Sequence, residues 1–293
     1  MKAGFVSIVG RPNVGKSTLL NKILKTKLAI TSDKVGTTRN NIVGVYNDET
    51  SQIVFTDTPG IAKANDRLGE VLNNLAYSSF ETDIVLFLVD IASGFGKNDR
   101  KILEKLKQDN SKIILVLTKT DLIKKEELIK RIIEVKDLYD FSSIVPISSY
   151  KDETIEELLT VIKDTLEEQG KIFNDDYFTN ITEKYLVSEM IREKVLNLTK
   201  QEVPHSVGCY VLKMDFKKDK IVIDATIVVD RDNLKGIIIG KNGQMLKNIG
   251  SLARCDIEKY YNKKVYLSLF VKVIENWRSK DSIIKELNEI NND

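Results

Sequence analysis

Gly10-Arg11-Pro12-Asn13-Val14-Gly15-Lys16-Ser17 stands between an apolar run, Phe5 to Val9, and a stretch whose Leu19, Leu20, Ile23 and Leu24 fall at helical spacing. A glycine turn ending in Gly-Lys-Ser, entered from a strand and left by a helix, is a nucleotide-phosphate cradle. Backbone N–H groups of Gly10 and of Asn13 through Thr18 are assigned to the phosphates. The helix start adds the positive end of its dipole, and the glycines let the chain approach without a Cβ clash. Lys16 then reaches the β and γ oxygens, and the Ser17 hydroxyl faces Mg²⁺.

Outward from the cradle, apolar strand-like runs recur at 53–56, 84–89, 113–117 and 144–147, separated by helix-like stretches near 66–80, 97–108, 125–138 and 154–168. Continuous apolar strands alternating with amphipathic helices predict an α/β domain, a mostly parallel sheet with helices on both faces. Residues 42–46 read as an antiparallel edge partner of 53–56. Ligands in such folds sit beyond the C-terminal strand ends.

The next motifs fall at those ends. Asp57-Thr58-Pro59-Gly60 puts a carboxylate where it can hold Mg²⁺ through water, and the Gly60 N–H where it meets a γ-phosphate. Thr118-Lys119-Thr120-Asp121 places a carboxylate to accept from N1–H and N2–H₂ of guanine, a donor pair adenine lacks. The Lys119 stem would pack along the base, and Ser148-Ser149-Tyr150 is placed to offer a backbone N–H to guanine O6. In Gly36-Thr37-Thr38-Arg39, Thr38 is favoured over Thr37 as the hydroxyl that completes the Mg²⁺ shell. The ligands so predicted are GTP or GDP, with Mg²⁺ on Ser17, Thr38 and Asp57. Lys16, Thr38 and Gly60 are assigned to the hydrolytic step.

That step lacks one familiar part. The position after Asp-x-x-Gly, where many GTPases carry a water-orienting glutamine, is Ile61. An aliphatic group cannot polarise water, so backbone groups, another loop, a partner, or K⁺ held with the help of Asn13 must serve. Slow intrinsic turnover is expected.

The pattern breaks near Gly170, which divides the chain into a 1–170 nucleotide domain, a 171–180 linker and a 181–293 domain. The last reads helix (181–199), strand (207–216), strand (220–229), glycine loop, helix (244–260) and strand (264–273). Its loop, Ile239-Gly240-Lys241-Asn242-Gly243, contains the G-x-x-G of a KH module, an α+β single-strand RNA clamp of type II order. Lys241 and Lys247 are assigned to phosphate, and Ile239 to a platform for bases. Net charge is only +2, yet residues 231–285 hold 12 Lys/Arg against 5 Asp/Glu, so the basic excess sits beside the clamp.

Cys209 and Cys255 make no disulfide framework or zinc spacing and are expected to be small core residues. The first strand starts within three residues of Met1, and no apolar run reaches bilayer length, which predicts a cytoplasmic setting.

With these motifs in this order the chain resembles the bacterial Era family of ribosome-assembly GTPases over nearly its whole length. The resemblance rests on residues 10–18, Thr37-Thr38-Arg39, 57–60, Val145-Pro146-Ile147-Ser148 and Ile239 through Gly250. It implies GTP hydrolysis linked to binding near the 3′ end of small-subunit (16S) ribosomal RNA, assistance to 30S assembly, peripheral membrane association and a monomer. The chain departs from the family's usual residues at Thr118 (Asn in the family), at Ser149 (Ala), and at Lys241-Asn242, where the family's order is reversed.

Overall fold

The computed structural model describes residues 1–293 except 35, 63, 65, 81, 200–202 and 289–293. The described residues form two compact units, one of residues 1–29, 38–63 and 71–180, the other of residues 30–37, 64–70 and 181–293.

The first unit is built on a six-stranded sheet in the order β2-β3-β1-β4-β5-β6. Its strands are β1 (Lys2–Gly10), β2 (Ile42–Asn47), β3 (Ser51–Asp57), β4 (Ile84–Asp90), β5 (Lys112–Thr118) and β6 (Ser143–Pro146). All pairings are parallel except β2 with β3, where Ile42 faces Asp57 and Asn47 faces Gln52. β4 is buried along its whole length but for Asp90, as a strand covered on both faces must be. The helices are α1 (Lys16–Leu24), α2 (Arg67–Tyr77, of this unit from Val71 onward), α3 (Lys97–Leu106), α4 (Lys125–Lys136) and α5 (Asp152–Thr165). α1 buries Leu19, Leu20 and Ile23, the apolar positions that predicted it. β1 has β3 on one side and β4 on the other, so chain order reverses at its C-terminal end, where the cradle begins.

Residues 171–180 are not a free linker. They run along the sheet edge in the first unit: the Val45 N–H donates to the Phe178 carbonyl at 2.9 Å, the Thr179 hydroxyl to the Val43 carbonyl at 2.6 Å, and the Val43 N–H to Asn180 Oδ1 at 2.9 Å. Gln52 receives the N–H groups of Ile172 and Phe173 at 2.7 and 2.8 Å. The open hydrogen-bonding edge of β2 supplies the reason, since unpaired strand groups recruit a partner. The second unit's long stretch starts at 181, and residues 30–37 and 64–70 also group with that unit.

In the second unit α6 (Glu183–Leu198) leads through a single turn, α7 (Val203–Ser206), into β7 (Val207–Phe216) and β8 (Lys220–Val229). Then come α8 (Asp232–Ile239), α9 (Gln244–Tyr261), β9 (Lys264–Val273) and α10 (Asp281–Asn288). β7 pairs antiparallel and β9 parallel with the central β8. One face carries Ile221, Ile223, Ala225, Ile227 and Val229, buried with Val187, Met190, Ile191, Val195, Ile249, Ala253 and Ile257 of α6 and α9.

Two expectations fail. Residues 232–239 are helical, not part of a loop; Gly236 and three isoleucines argue against helix locally, but Leu234 and Ile238, four apart, are buried together and decide the matter. Cys209 is buried as expected, but Cys255 is exposed on the outer side of α9.

Candidate nucleotide and RNA sites

The turn from β1 to α1 takes its shape from two left-handed residues, Asn13 (φ 63) and Gly15 (φ 101). Lys16 is buried beneath it, its Nζ donating to the carbonyls of Arg11 at 3.0 Å and Gly10 at 3.2 Å. Burial pushes the Lys16 ammonium down to about 8, with the negative charge of Asp57 opposing. An arriving phosphate would favour the charged form. Asn13 is exposed, Val14 is buried, and Thr18 sits half-buried in the first turn of α1.

Ser17, Thr38 and Asp57 meet. The Ser17 hydroxyl donates to Asp57 Oδ2 at 2.6 Å and lies 2.8 Å from Thr38 Oγ1. Asp57 is fully buried, and its Oδ1 has no hydrogen-bond partner. Burial raises the carboxyl to about 6, with Lys16, Ser17 and Thr38 acting against it. Two hydroxyls and a buried carboxylate with an unsatisfied oxygen are the hard donor set that suits Mg²⁺. Thr37 differs from its neighbour: its hydroxyl closes a turn on the Lys34 carbonyl at 2.7 Å.

Gly60 lies against the cradle itself. A Cβ there would stand 2.7 Å from the Pro12 backbone, so only glycine fits. Ile61 turns away, packed with Val9 and Phe87 in the core.

At the far end, the Thr118 hydroxyl donates to the Val14 carbonyl at 2.8 Å and ties the β5 terminus to the cradle. Lys119 is left-handed (φ 59), and its Nζ meets Asp90 at 2.8 Å. Asp121 is exposed and accepts from the Ser148 hydroxyl at 2.6 Å. The Ser148 N–H is taken by Thr154 and the Tyr150 N–H by the Ser148 hydroxyl. The Tyr150 side chain, 86% exposed, stands in solvent.

In the second unit, Gly240 (φ 71), Asn242 (φ 51) and Gly243 (φ 75) make a left-handed loop between α8 and α9. A Cβ on Gly240 would strike Met245 at 2.7 Å, while Gly243 has nothing within 4 Å and is open to an approaching backbone. Lys241, Asn242 and Lys247 are exposed, Ile239 is half-buried, and Ile237 is exposed.

The family model described as 50S ribosome-binding GTPase matches residues 5–119, and the KH domain model matches residues 202–278. A variant of Aquifex aeolicus Era bound to GDP·AlF4⁻ superposes with a TM-score of 0.94 at 39% identity, over 98% of this chain and 99% of that one. The chain belongs to the Era family. A second Era structure, with MgGDPNP and nucleotides 1506–1542 of 16S ribosomal RNA, gives a TM-score of 0.95 at 39% identity, again over 98% and 99%.

Membership of the Era family makes this chain a GTPase that binds guanine nucleotide with Mg²⁺. Its departures are local. Thr118 keeps a hydroxyl on the cradle. Sequence reasoning missed two supports. Arg11 Nε holds Asp99 at 2.7 Å, bracing the cradle from the first turn of α3; Asp90 holds Lys119. Asp90 could have been noticed as a carboxylate closing an apolar strand at the ligand end of the sheet.

Proposed function

We propose that this chain is a GTP-hydrolysing switch that holds the 3′ end of small-subunit ribosomal RNA on its KH unit and assists 30S assembly. The meeting of Ser17, Thr38 and Asp57 carries the switch, and the Era complex with 16S RNA supports the partner. Mg²⁺ held on Ser17, Thr38 and Asp57 would neutralise charge on the β and γ oxygens.

The chain's own residues do the rest. Lys16 gathers β and γ oxygens, and the Gly60 N–H meets the γ-phosphate. Asp121 and the Ser149 N–H select guanine. Water attacks the γ-phosphorus, the bond to the bridging oxygen breaks, and GDP and phosphate result. Ile61 neither holds nor polarises that water.

Signalling follows from chain continuity. Thr38 belongs to the metal shell, and the preceding segment, 30–37, is held within the second unit. There Glu193 accepts from the Thr31 N–H at 3.0 Å, and Arg192, paired with Glu189, donates to the Thr37 carbonyl. Loss of the γ-phosphate frees Thr38, so the two nucleotide states present different surfaces to RNA. The test is the affinity of the full chain for a 3′-end 16S oligonucleotide with GDP and with a non-hydrolysable GTP analogue, in Mg²⁺. A difference is expected; equal affinities, with no phosphate release, would leave an RNA-binding scaffold that uses nucleotide only for stability.

A further inference from the structure

The nucleotide site and the glycine clamp leave one face of the second unit's sheet unused. Odd-numbered residues of β8 and β9 pack under α6 and α9. The even positions of β9 therefore point the other way, and they read Lys264, Tyr266, Ser268, Phe270, Lys272. Tyr266 is 64% exposed and Phe270 56%, and both lysines are exposed.

The same face is closed at its other end. A Cβ on Gly208 would meet Leu287 of α10 at 2.7 Å, and Val228, which pairs with Gly208, is fully buried. Both aromatics on the even side of β9 are left uncovered. At about 3.3 Å per residue they stand about 13 Å apart.

Between the rings lies Ser268, paired with Asp224, which in turn pairs with Lys213. Lys213 is bonded to Asp215 at 2.9 Å. Carboxylates repel phosphates but accept from base amino groups. The flanking Lys264 and Lys272 suit a backbone running along the sheet edge. Rings for base faces, a Ser–Asp pair for base edges and cations for phosphates match an unpaired strand. A duplex hides its base faces and presents phosphates, 2′-hydroxyls and groove edges, none of which would use the two rings.

We propose that the outer face of β9 is a second single-stranded RNA site, on which bases stack on Tyr266 and Phe270. The inference builds on RNA binding by the KH unit but uses none of the clamp's residues. Base-on-aromatic stacking contributes enough per base that losing both rings should weaken binding about tenfold or more.

The experiment uses the full chain and a 12-nucleotide single-stranded RNA carrying 4-thiouridine. Irradiation is expected to give adducts on Tyr266 or Phe270, and Y266A/F270A to bind at least about tenfold more weakly with an unchanged melting temperature. G243D, which places a negative charge in the clamp, should lose the clamp adducts and keep those on β9; if G243D changes nothing, the clamp reading fails separately. Should the aromatic double variant fold poorly, K264A/K272A replaces it. That pair is expected to lower the slope of log affinity against log salt by about 1.4. Absence of β9 adducts overturns the proposal. So does parent-like RNA binding by a folded aromatic variant, including one whose only change, by sedimentation, is loss of self-association.

Discussion

At Asp121 the proposed mechanism rests base choice on a single carboxylate. Its partner Ser148 holds the side chain at 2.6 Å, and in the proposed mechanism the guanine edge would supply two donors to it. Asp121→Asn puts a donor where an acceptor is needed and leaves guanine N–H groups unpaired, a cost of about 3 kcal/mol. GTP affinity should fall about 100-fold, and xanthosine triphosphate, with a carbonyl at C2, should bind better than GTP in a fluorescent-nucleotide titration. Gly60→Ala tests the opposite end of the site. With the Pro12 backbone 2.7 Å from the new methyl, overpacking should cost about 1–3 kcal/mol. Scanning calorimetry should show a lower melting temperature, and single-turnover hydrolysis should slow as the N–H withdraws from the γ-phosphate. Asp57 and the cradle were legible in the sequence because each falls at the end of an apolar strand, and Asp121 because it follows the end of β5 by three residues. The Arg11–Asp99 and Lys119–Asp90 pairs were not, because 88 and 29 residues separate the partners and only the folded sheet brings them together.

Elements followed their periodicity where the pattern was strong. β7, β8 and β9 begin and end at the residues expected, because alternation is clean when one face is buried. α8 escaped because burial of Leu234 and Ile238 overrides a glycine and three β-branched neighbours, a tertiary effect invisible locally. The hairpin of β2 and β3 carries a prediction of its own. At its turn Asp48 is bonded to Lys163 of α5 and accepts from the N–H groups of Thr50 and Ser51 at 2.9 and 2.8 Å. Burial alone would raise this carboxyl, but Lys163 and the Thr50 and Ser51 donors outweigh it and hold it below the usual range. A depressed carboxyl stabilises the fold above its unfolded pKa of about 4 and loses that contribution as pH falls through the folded value. Solvent screening keeps the ion pair to about 1 kcal/mol or less. The melting-temperature gap between the parent and Asp48→Asn should therefore be constant from pH 7 to about 5 and shrink below about 4.

At the scale of the whole molecule, Ile61 stands where many GTPases carry a water-orienting glutamine, and the prediction is that K⁺ or RNA supplies what that position does not. Ile61 is buried in the core and gives water no purchase. The isolated protein in Na⁺ should turn over on the order of 10⁻³ s⁻¹ or slower. Replacing Na⁺ with K⁺, or adding 3′-end 16S RNA, should raise phosphate release at least about tenfold; a fast rate without either would contradict this account. The partition into units was half legible. Gly170 and the polar run after it read as a linker, yet hydrogen bonds from Val43, Val45 and Gln52 give those residues to the first unit.

The 171–180 segment works as a selvedge on the woven edge of the sheet. A shortened chain ending at Gly170 would expose the backbone of β2 from Val43 to Val45 as a template for neighbouring molecules. Such a fragment should precipitate or oligomerise at concentrations where one ending at Asn180 stays monomeric by light scattering. Anyone isolating the nucleotide domain should cut after the hem, not before it.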